Sequence, residues 1–177
     1  CLPPSINHSE AEYSVEECDA GFAVRYALAG LKNVGEKAME GIVAEREANA
    51  LYRDLDDFAN RADPAQINRR SLENLVSAGT FDQFETNRAA VFGGIEMILA
   101  TAQSARDQRE SGQGGLFGGD ASADAGRMRL PTAEKWSVAE TMEHEREAFG
   151  FYFSSHPISQ FTQIVASHGA KSYLETI

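Results

Sequence analysis

A glycine-rich stretch late in the chain sets the strongest limit on what this sequence can fold into. Residues 109–131 consist mainly of glycine, serine, alanine and charged residues, with few apolar side chains. Such a composition buries too little apolar surface to offset the entropy lost on ordering the backbone. The sequence therefore predicts a flexible linker between a larger part before it and a smaller part after it.

One apolar pair, Leu116-Phe117, stands within this linker. The pair would bury more apolar surface by docking into the apolar pocket of a partner than by packing against its own domain. Gln113 could then form hydrogen bonds at the rim of the pocket. The spacing Gln-x-x-Leu-Phe is that of peptides that bind bacterial sliding clamps. Three fixed letters in five residues recur by chance, so the motif alone favours the alternative, a pair that folds back onto its own domain.

Composition narrows the possible classes of protein. The chain has 177 residues, of which 42% are hydrophobic, and no run of about 18 apolar residues that could span a membrane. It begins without Met or a signal-peptide pattern, so we expect a fragment of a longer protein. Cys1 and Cys18 fit neither a metal site nor a disulfide framework, which favours the cytoplasm.

The net charge of −11 argues, taken alone, against a nucleic-acid-binding protein. The charge is unevenly distributed, however, because basic residues gather between Lys32 and Lys37 and at Arg69-Arg70. A locally basic contact surface on an acidic protein would bind DNA weakly and with strong salt dependence.

The pattern of apolar residues predicts a mainly α-helical fold with one short β-hairpin. Apolar residues alternate on both sides of a turn at Cys18-Asp19-Ala20-Gly21, after an extended segment over residues 1–12. Helical spacing follows Gly35. Helices are predicted near residues 36–47, 51–62 (with Leu51, Leu55 and Phe58 as its apolar stripe), 67–78, 87–108, 138–149 and 158–166.

The turn before the first helix is a candidate phosphate-binding hairpin. Asn33 and Gly35 both tolerate a left-handed backbone, and a helix begins directly after them, so its first amides could face an anion. Lys32 and Lys37 add positive charge, and Val34 would anchor the turn in the core. These are the features of a helix-hairpin-helix module, which holds a duplex by its backbone. An ordinary Asn-x-Gly turn that caps a helix is an equal alternative, since acidic residues share the helix.

A second candidate lies at Arg69-Arg70, at the start of a predicted helix that ends in the small-residue turn Ser77-Ala78-Gly79-Thr80. Both arginines could clamp phosphate. The alternative is a solvated helix terminus in which they pair with Asp63 or Glu73, and this is the commoner case for arginines.

Other polar residues favour plain structural roles. Asp54, Asp56 and Asp57 fall at a helix start, where acidic residues stabilise the dipole. Glu143-His144-Glu145 and Glu147 lack a second histidine at metal-ligand spacing and are interpreted as a surface face. We expect Trp136 to anchor the chain where it leaves the linker, and His156, before Pro157, to form a turn.

Taken together, several stretches resemble the alpha subunit family of bacterial DNA polymerase III, the replicative polymerase. They occur in the family's order and at similar intervals, and they cover essentially the whole chain. Asn33 departs from the pattern, because the family usually has glycine there. The stretches are residues 2–7, 24–28, 31–36, 68–73, 78–82, 112–118 and 149–157.

The resemblance implies a tandem helix-hairpin-helix module after the polymerase fingers, then the internal clamp-binding peptide, then a connection towards an oligonucleotide-binding fold. Gln113, Leu116 and Phe117 fall where the family carries its clamp peptide, so the resemblance favours clamp binding. Lys32, Asn33, Gly35, Lys37, Arg69 and Arg70 are the expected DNA contacts. The family's catalytic aspartates have no counterpart here, so Mg²⁺ is expected only in the parent polymerase.

The resulting prediction has four segments and several partners. Residues 1–30 form an arm and β-hairpin, 31–108 the DNA-binding module, 109–131 the linker, and 132–177 a helical connector. The expected partners are duplex primer-template DNA, the sliding clamp and other polymerase III holoenzyme subunits, without a membrane. There are two alternatives, a structural adaptor that touches no DNA and the error-prone paralogue of the same family. An intact Gln-x-x-Leu-Phe motif favours the replicative form over that paralogue.

Overall fold

A computed structural model describes residues 1–19, 21–111 and 128–161, and over these residues the chain is mainly helical. One short antiparallel hairpin precedes the helices, so the predicted fold class is confirmed. The elements are β1 (Ser14–Cys18), β2 (Gly21–Arg25), α1 (Glu36–Asn49), α2 (Leu55–Arg61), α3 (Arg69–Ser77), α4 (Arg88–Gly93), α5 (Ile95–Glu110), α6 (Val138–Phe149) and a 3₁₀ turn (Pro157–Phe161).

The β-hairpin forms where the alternation predicts it. β1 and β2 pair in antiparallel register with Val15 opposite Val24. Arg25 donates to both carboxylate oxygens of Glu16, at 2.6 and 2.7 Å, and this hydrogen bonding lowers the pKa of the Glu16 carboxyl. The hairpin is thus fixed by one charged pair across its strands as well as by the ladder.

The N-terminal arm, residues 1–12, packs into the core of the helical module. Ile6 is fully buried, and its amide donates to the carbonyl of Thr80 at 2.9 Å. Arg46 of α1, itself buried, donates to the carbonyls of Ile6 and Ser9 at 3.1 and 2.8 Å. The arm is therefore held by helices that come much later in the sequence.

The helix predicted over residues 51–62 begins later than expected. α2 starts at Leu55, because the Asp54 side chain accepts from the Asp57 amide at 2.8 Å and caps it. Leu51, predicted in the apolar stripe, is instead 53% exposed, and the neighbouring Tyr52 is buried in its place. Asp54, Asp56 and Asp57 lie at this helix start, where the sequence places them.

Asp57 supports a prediction about pH. Burial acts to raise the pKa of its carboxyl, but hydrogen bonds from Arg53 and Arg61 outweigh burial and hold the pKa below the ordinary 3.8. Because the pKa of this carboxyl is lower in the folded chain than in the unfolded chain, its ionised form stabilises the fold at any pH above the unfolded-state pKa. That stabilisation is lost as the pH falls through the folded-state pKa. Urea unfolding between about pH 5 and pH 2 should show this loss. In the Asp57→Asn variant, the free energy of unfolding should depend less on pH in this range. The same pH dependence in both proteins would contradict the prediction.

The long helix predicted from Asn87 to about 108 is divided in two at Gly94. A Cβ on Gly94 would lie 2.6 Å from the Leu130 side chain, and one on Gly93 would lie 3.0 Å from Pro131. The two glycines therefore leave room for the chain where it returns after the glycine-rich stretch. The Asp56 carboxylate also accepts a hydrogen bond from the Met128 amide at 2.8 Å.

The ends of the predicted linker, residues 109–131, are thus parts of the folded structure. Arg109 and Glu110 end α5, and Met128 and Leu130 pack against the core. The stretch between them, residues 112–127, lies outside the described residues. The division into four segments stays a prediction.

α6 has the bounds that the sequence predicts, because both of its ends are specified locally. Ser137 and Glu140 form a reciprocal capping box at the start, and Gly150 ends the helix in a left-handed conformation with φ 88°. The aromatic ring of Phe149 lies 4.9 Å from that of Tyr26 and 4.5 Å from that of Phe153. α6 also packs against α3, so the chain after the glycine-rich stretch belongs to the same core.

The prediction that residues 143–147 form a surface face is wrong for Glu145, which is only 2% exposed. Its carboxylate accepts from Arg88 at 3.0 Å and from the amide and hydroxyl of Ser154 at 3.0 and 2.7 Å. Arg88 also binds Asp82, at 2.7 Å. A buried carboxylate is tolerated here because every partner it needs is in place, and the network ties α6 to the turn between α3 and α4.

Candidate nucleic-acid interface

The turn before α1 has the shape that the sequence predicts, with one difference. Asn33 adopts the left-handed conformation, with φ 60°, and Val34 is buried beneath the turn. Gly35, the N-cap of α1, is extended with φ −79°, so the turn does not require glycine for its backbone. A Cβ on Gly35 would meet nothing nearer than Ala38 Cβ at 3.9 Å. Among the described residues, therefore, nothing inside the protein accounts for glycine at this position.

The first turn of α1 lacks a side-chain cap. Gly35 offers no side-chain acceptor, so no N-cap side chain occupies the first amides of the helix. Lys32, Asn33 and Lys37 are exposed around this end, together with Glu36. The arrangement could accept an anion, although Glu36 opposes it electrostatically.

Arg69 and Arg70 are in different environments. Arg69 forms ion pairs with Glu73 at 2.8 Å and with Glu96 at 2.9 Å, and hydrogen bonding to Glu73 raises the pKa of its guanidinium. Its position matches the paired helix terminus that we considered as the alternative. Asp63 pairs instead with Arg106, at 3.6 Å. Arg70, by contrast, has no ion pair with any residue in the described part of the chain.

Arg70 lines a surface cleft of about 460 Å³ that also contains part of the hairpin turn. The cleft lies between the turn before α1, the exposed side of α3 and the C-terminal end of α6. Three of its side chains are cationic, two are carboxylates, and three are neutral polar groups. The lining residues are Lys32, Asn33, Arg70, Glu73, Asn74, Ser77, Phe92, Arg146 and Glu147.

The structure thus brings together three of the six predicted DNA contacts, Lys32, Asn33 and Arg70. Gly35 and Lys37 lie at the start of α1 outside the cleft lining, and Arg69 is engaged in ion pairs. The predicted clamp-binding residues lie outside the described residues; they are Gln113, Leu116 and Phe117.

Sequence reasoning missed Arg146, which lines the same cleft from α6. A basic residue in the last turn of a helix is ordinary, since it complements the helix dipole. Only the packing of α6 against α3 reveals that Arg146 lies beside Arg70 and Lys32 in the cleft.

The other polar and aromatic candidates have structural roles. His144 stacks on Trp136 with ring centroids 3.7 Å apart, and Trp136 also contacts Phe92, as expected for an anchor. His156 accepts from the Ile158 amide in a turn. In residues 1–19, 21–111 and 128–161, no group of three His, Cys, Asp or Glu side chains could hold a metal ion. No helix in these ranges has the length and apolar character needed to cross a membrane.

Comparison with known proteins agrees with this geometry. A family described as "Helix-hairpin-helix motif" matches residues 1–91. Three relatives named DNA polymerase III subunit alpha are similar over most of the chain. The protein from Caulobacter vibrioides is 42% identical over 155 residues, which is 88% of this chain and 13% of the relative. Those from Campylobacter jejuni (35% over 161 residues) and Xylella fastidiosa strain Temecula1 (39% over 169 residues) cover 90% and 93% of the chain, and 13% and 14% of the relatives.

Proposed function

This chain belongs to the helix-hairpin-helix family and matches a region of DNA polymerase III alpha subunits, and from this premise we propose that it binds the backbone of duplex DNA without reading bases. It would do so within a replicative polymerase that it also tethers to a sliding clamp. The observation that carries the DNA proposal is the cleft shared by Lys32, Asn33 and Arg70 beside the uncapped start of α1.

The hairpin turn supports backbone contact rather than base reading. The open space at Gly35 allows another backbone to approach the first amides of α1 closely, and those amides have no side-chain cap. Lys32 and Lys37 supply positive charge on either side of the turn. Contacts of this kind fix the position of a protein on a duplex but carry no sequence information.

The clamp proposal rests on the motif and on where its segment is attached. Gln113, Leu116 and Phe117 follow directly on α5, which packs on α2, and the chain is fixed again at Met128. A clamp-bound peptide in the same chain as a DNA-binding surface would keep that surface at high effective concentration near its substrate. In the longer protein, this tether would support processive replication.

Nucleotide transfer is proposed for the longer protein and not for this region. The chain spans 13–14% of the length of the relatives above. We propose that the catalytic carboxylates and their Mg²⁺ lie elsewhere in the polymerase, which acts in the cytoplasm with the other holoenzyme subunits.

DNA binding is tested by gel retardation of a duplex of about 20 base pairs at low salt. The unmodified chain should retard duplexes of unrelated sequence equally, and Lys32→Glu with Lys37→Glu should weaken binding at least about tenfold, because each phosphate contact contributes through counterion release. Arg129→Glu with Lys135→Glu is the matched control for charge, since both residues are exposed and lie outside the cleft lining.

Gly35→Ala separates contact from folding in the same assay. It should change stability by no more than about 1 kcal/mol, because the loss of a favoured N-cap residue is offset by the lower entropy of the unfolded chain at an extended, open position. Affinity for the duplex should nevertheless fall. Absence of retardation by the unmodified chain at low salt would contradict the proposal and favour the structural adaptor.

Clamp binding is tested with the full chain and a purified bacterial sliding clamp. Leu116→Ala with Phe117→Ala should abolish binding, because removing two apolar anchors from a short peptide leaves little free energy of association. Phe22→Ala with Leu51→Ala removes an exposed apolar pair elsewhere and should bind as the unmodified chain does. Equal binding by the 116/117 variant would discard the tether.

A further inference from the structure

Three cationic side chains from distant parts of the sequence meet in the cleft defined above. Lys32 comes from the turn before α1, Arg70 from the first turn of α3, and Arg146 from the last turn of α6. None of the three forms an ion pair with another residue in the part of the chain that the structure describes, although most arginines there do. Two carboxylates, Glu73 and Glu147, line the same cleft and leave it with one net positive charge, so an anion from outside the protein would stabilise the set.

The position of Arg146 is fixed by its neighbours in α6. Glu145, the preceding residue, is buried in its network with Arg88 and Ser154, so the side chain of Arg146 emerges at the surface. The amide of Lys32 donates to the carbonyl of Ala148 at 2.8 Å, which joins the hairpin turn directly to the last turn of α6.

Gly150 keeps Lys32 beside this end of α6. A Cβ on Gly150 would lie 2.9 Å from Lys32 Cε, so the absence of a side chain there leaves space for the lysine. The backbone of Lys32 is therefore fixed next to the last turn of α6, so bringing Lys32 and Arg146 into one site costs no further ordering of the backbone.

The remaining lining groups determine what kind of anion the cleft would accept. Glu73 and Glu147 also line it, and Arg69 already engages Glu73. With three cations, two carboxylates and the polar side chains of Asn33, Asn74 and Ser77, the cleft suits a singly charged anion rather than a highly charged one. A backbone phosphodiester carries one negative charge, and arginine matches phosphate geometry with two parallel hydrogen bonds.

We propose that this cleft binds a backbone phosphate of the duplex, with Arg146 supplying a contact from the part of the chain that follows the clamp-binding segment. The inference rests on the proposed DNA-binding function and extends it, because α6 then belongs to the DNA-binding surface. The part of the chain that follows the clamp-binding segment would then contribute to DNA binding as well as the part before it.

The test measures duplex affinity as a function of salt for the full chain and single-charge variants. Arg146→Gln should weaken binding severalfold at low salt and reduce the slope of log K against log salt by about 0.9, the value for one lost phosphate contact. Arg129→Gln, the exposed control, should leave the slope unchanged. Thermal unfolding should differ little between the two variants, since both side chains are exposed and the lost interaction of Arg146 with the helix dipole costs at most about 1 kcal/mol.

Glu147→Gln provides a variant whose effect cannot come from misfolding. Removing a carboxylate that lines the cleft should increase affinity severalfold and leave the number of phosphate contacts unchanged. If Arg146→Gln behaves like Arg129→Gln while Lys32→Glu with Lys37→Glu still weakens binding, the inference is overturned and the proposed function stands. If the unmodified chain does not bind duplex DNA at all, both are overturned.

Discussion

Glu145→Ala should destabilise the folded chain by about 2–4 kcal/mol, because one donor of Arg88 and two donors of Ser154 lose a buried charged acceptor. Glu145 is 2% exposed, and its loss leaves Arg88 with a single carboxylate partner, Asp82, and the Ser154 amide and hydroxyl without their acceptor. Urea unfolding followed by circular dichroism measures the change in the free energy of unfolding.

Two further variants separate the charge of Glu145 from its shape. Glu145→Gln keeps an acceptor for Ser154 but loses the charge that faces Arg88, so its effect should be intermediate. Glu143→Ala removes an exposed carboxylate from the same helix and should change the unfolding free energy by less than about 0.5 kcal/mol. Equal effects of Glu145→Ala and Glu143→Ala would show that the network does not hold α6 in place.

Arg46→Ala should destabilise the chain by about 2–4 kcal/mol, because buried carbonyls of the N-terminal arm lose a charged donor. Arg46 is 5% exposed and donates to Ile6, Ser9 and the carboxylate of Glu10, the last at 2.9 Å. Hydrogen exchange should then show faster exchange at the Ile6 amide, which bonds to Thr80, than in the unmodified chain.

Arg53→Ala is the matched control for Arg46→Ala. Arg53 also pairs with a carboxylate, that of Asp57, but its side chain is 82% exposed, so the loss should be below about 1 kcal/mol. Comparable destabilisation by the two variants would contradict the role given to Arg46.

Elements whose ends are determined by residues close to them in the sequence could be predicted from the sequence. The β-hairpin follows from strict alternation around a turn, and α6 follows from Ser137 at its start and Gly150 at its end. α1 and α3 follow from helical spacing of apolar residues, and α3 also from its cap at Asn68. In each case, neighbours within a few residues carry the information.

Features that depend on distant partners could not be predicted in this way. Glu145 and Arg46 look like surface residues, because only the folded chain shows the groups that pair with them. The break at Gly94 depends on Leu130, which packs there from beyond the glycine-rich stretch. Arg146 could not be assigned to the candidate site for the same reason, since the cleft exists only once α6 lies against α3.

The N-terminal arm has a consequence for how the protein is made. Ile6 leaves the ribosome before its partner Thr80 and its buried surroundings on α1 and α3 are synthesised. Contacts between such distant positions slow folding, since a long loop must close before they are rewarded. During translation, the apolar side chains of the arm therefore stay accessible to chaperones until α1 and α3 have emerged and can pack against them.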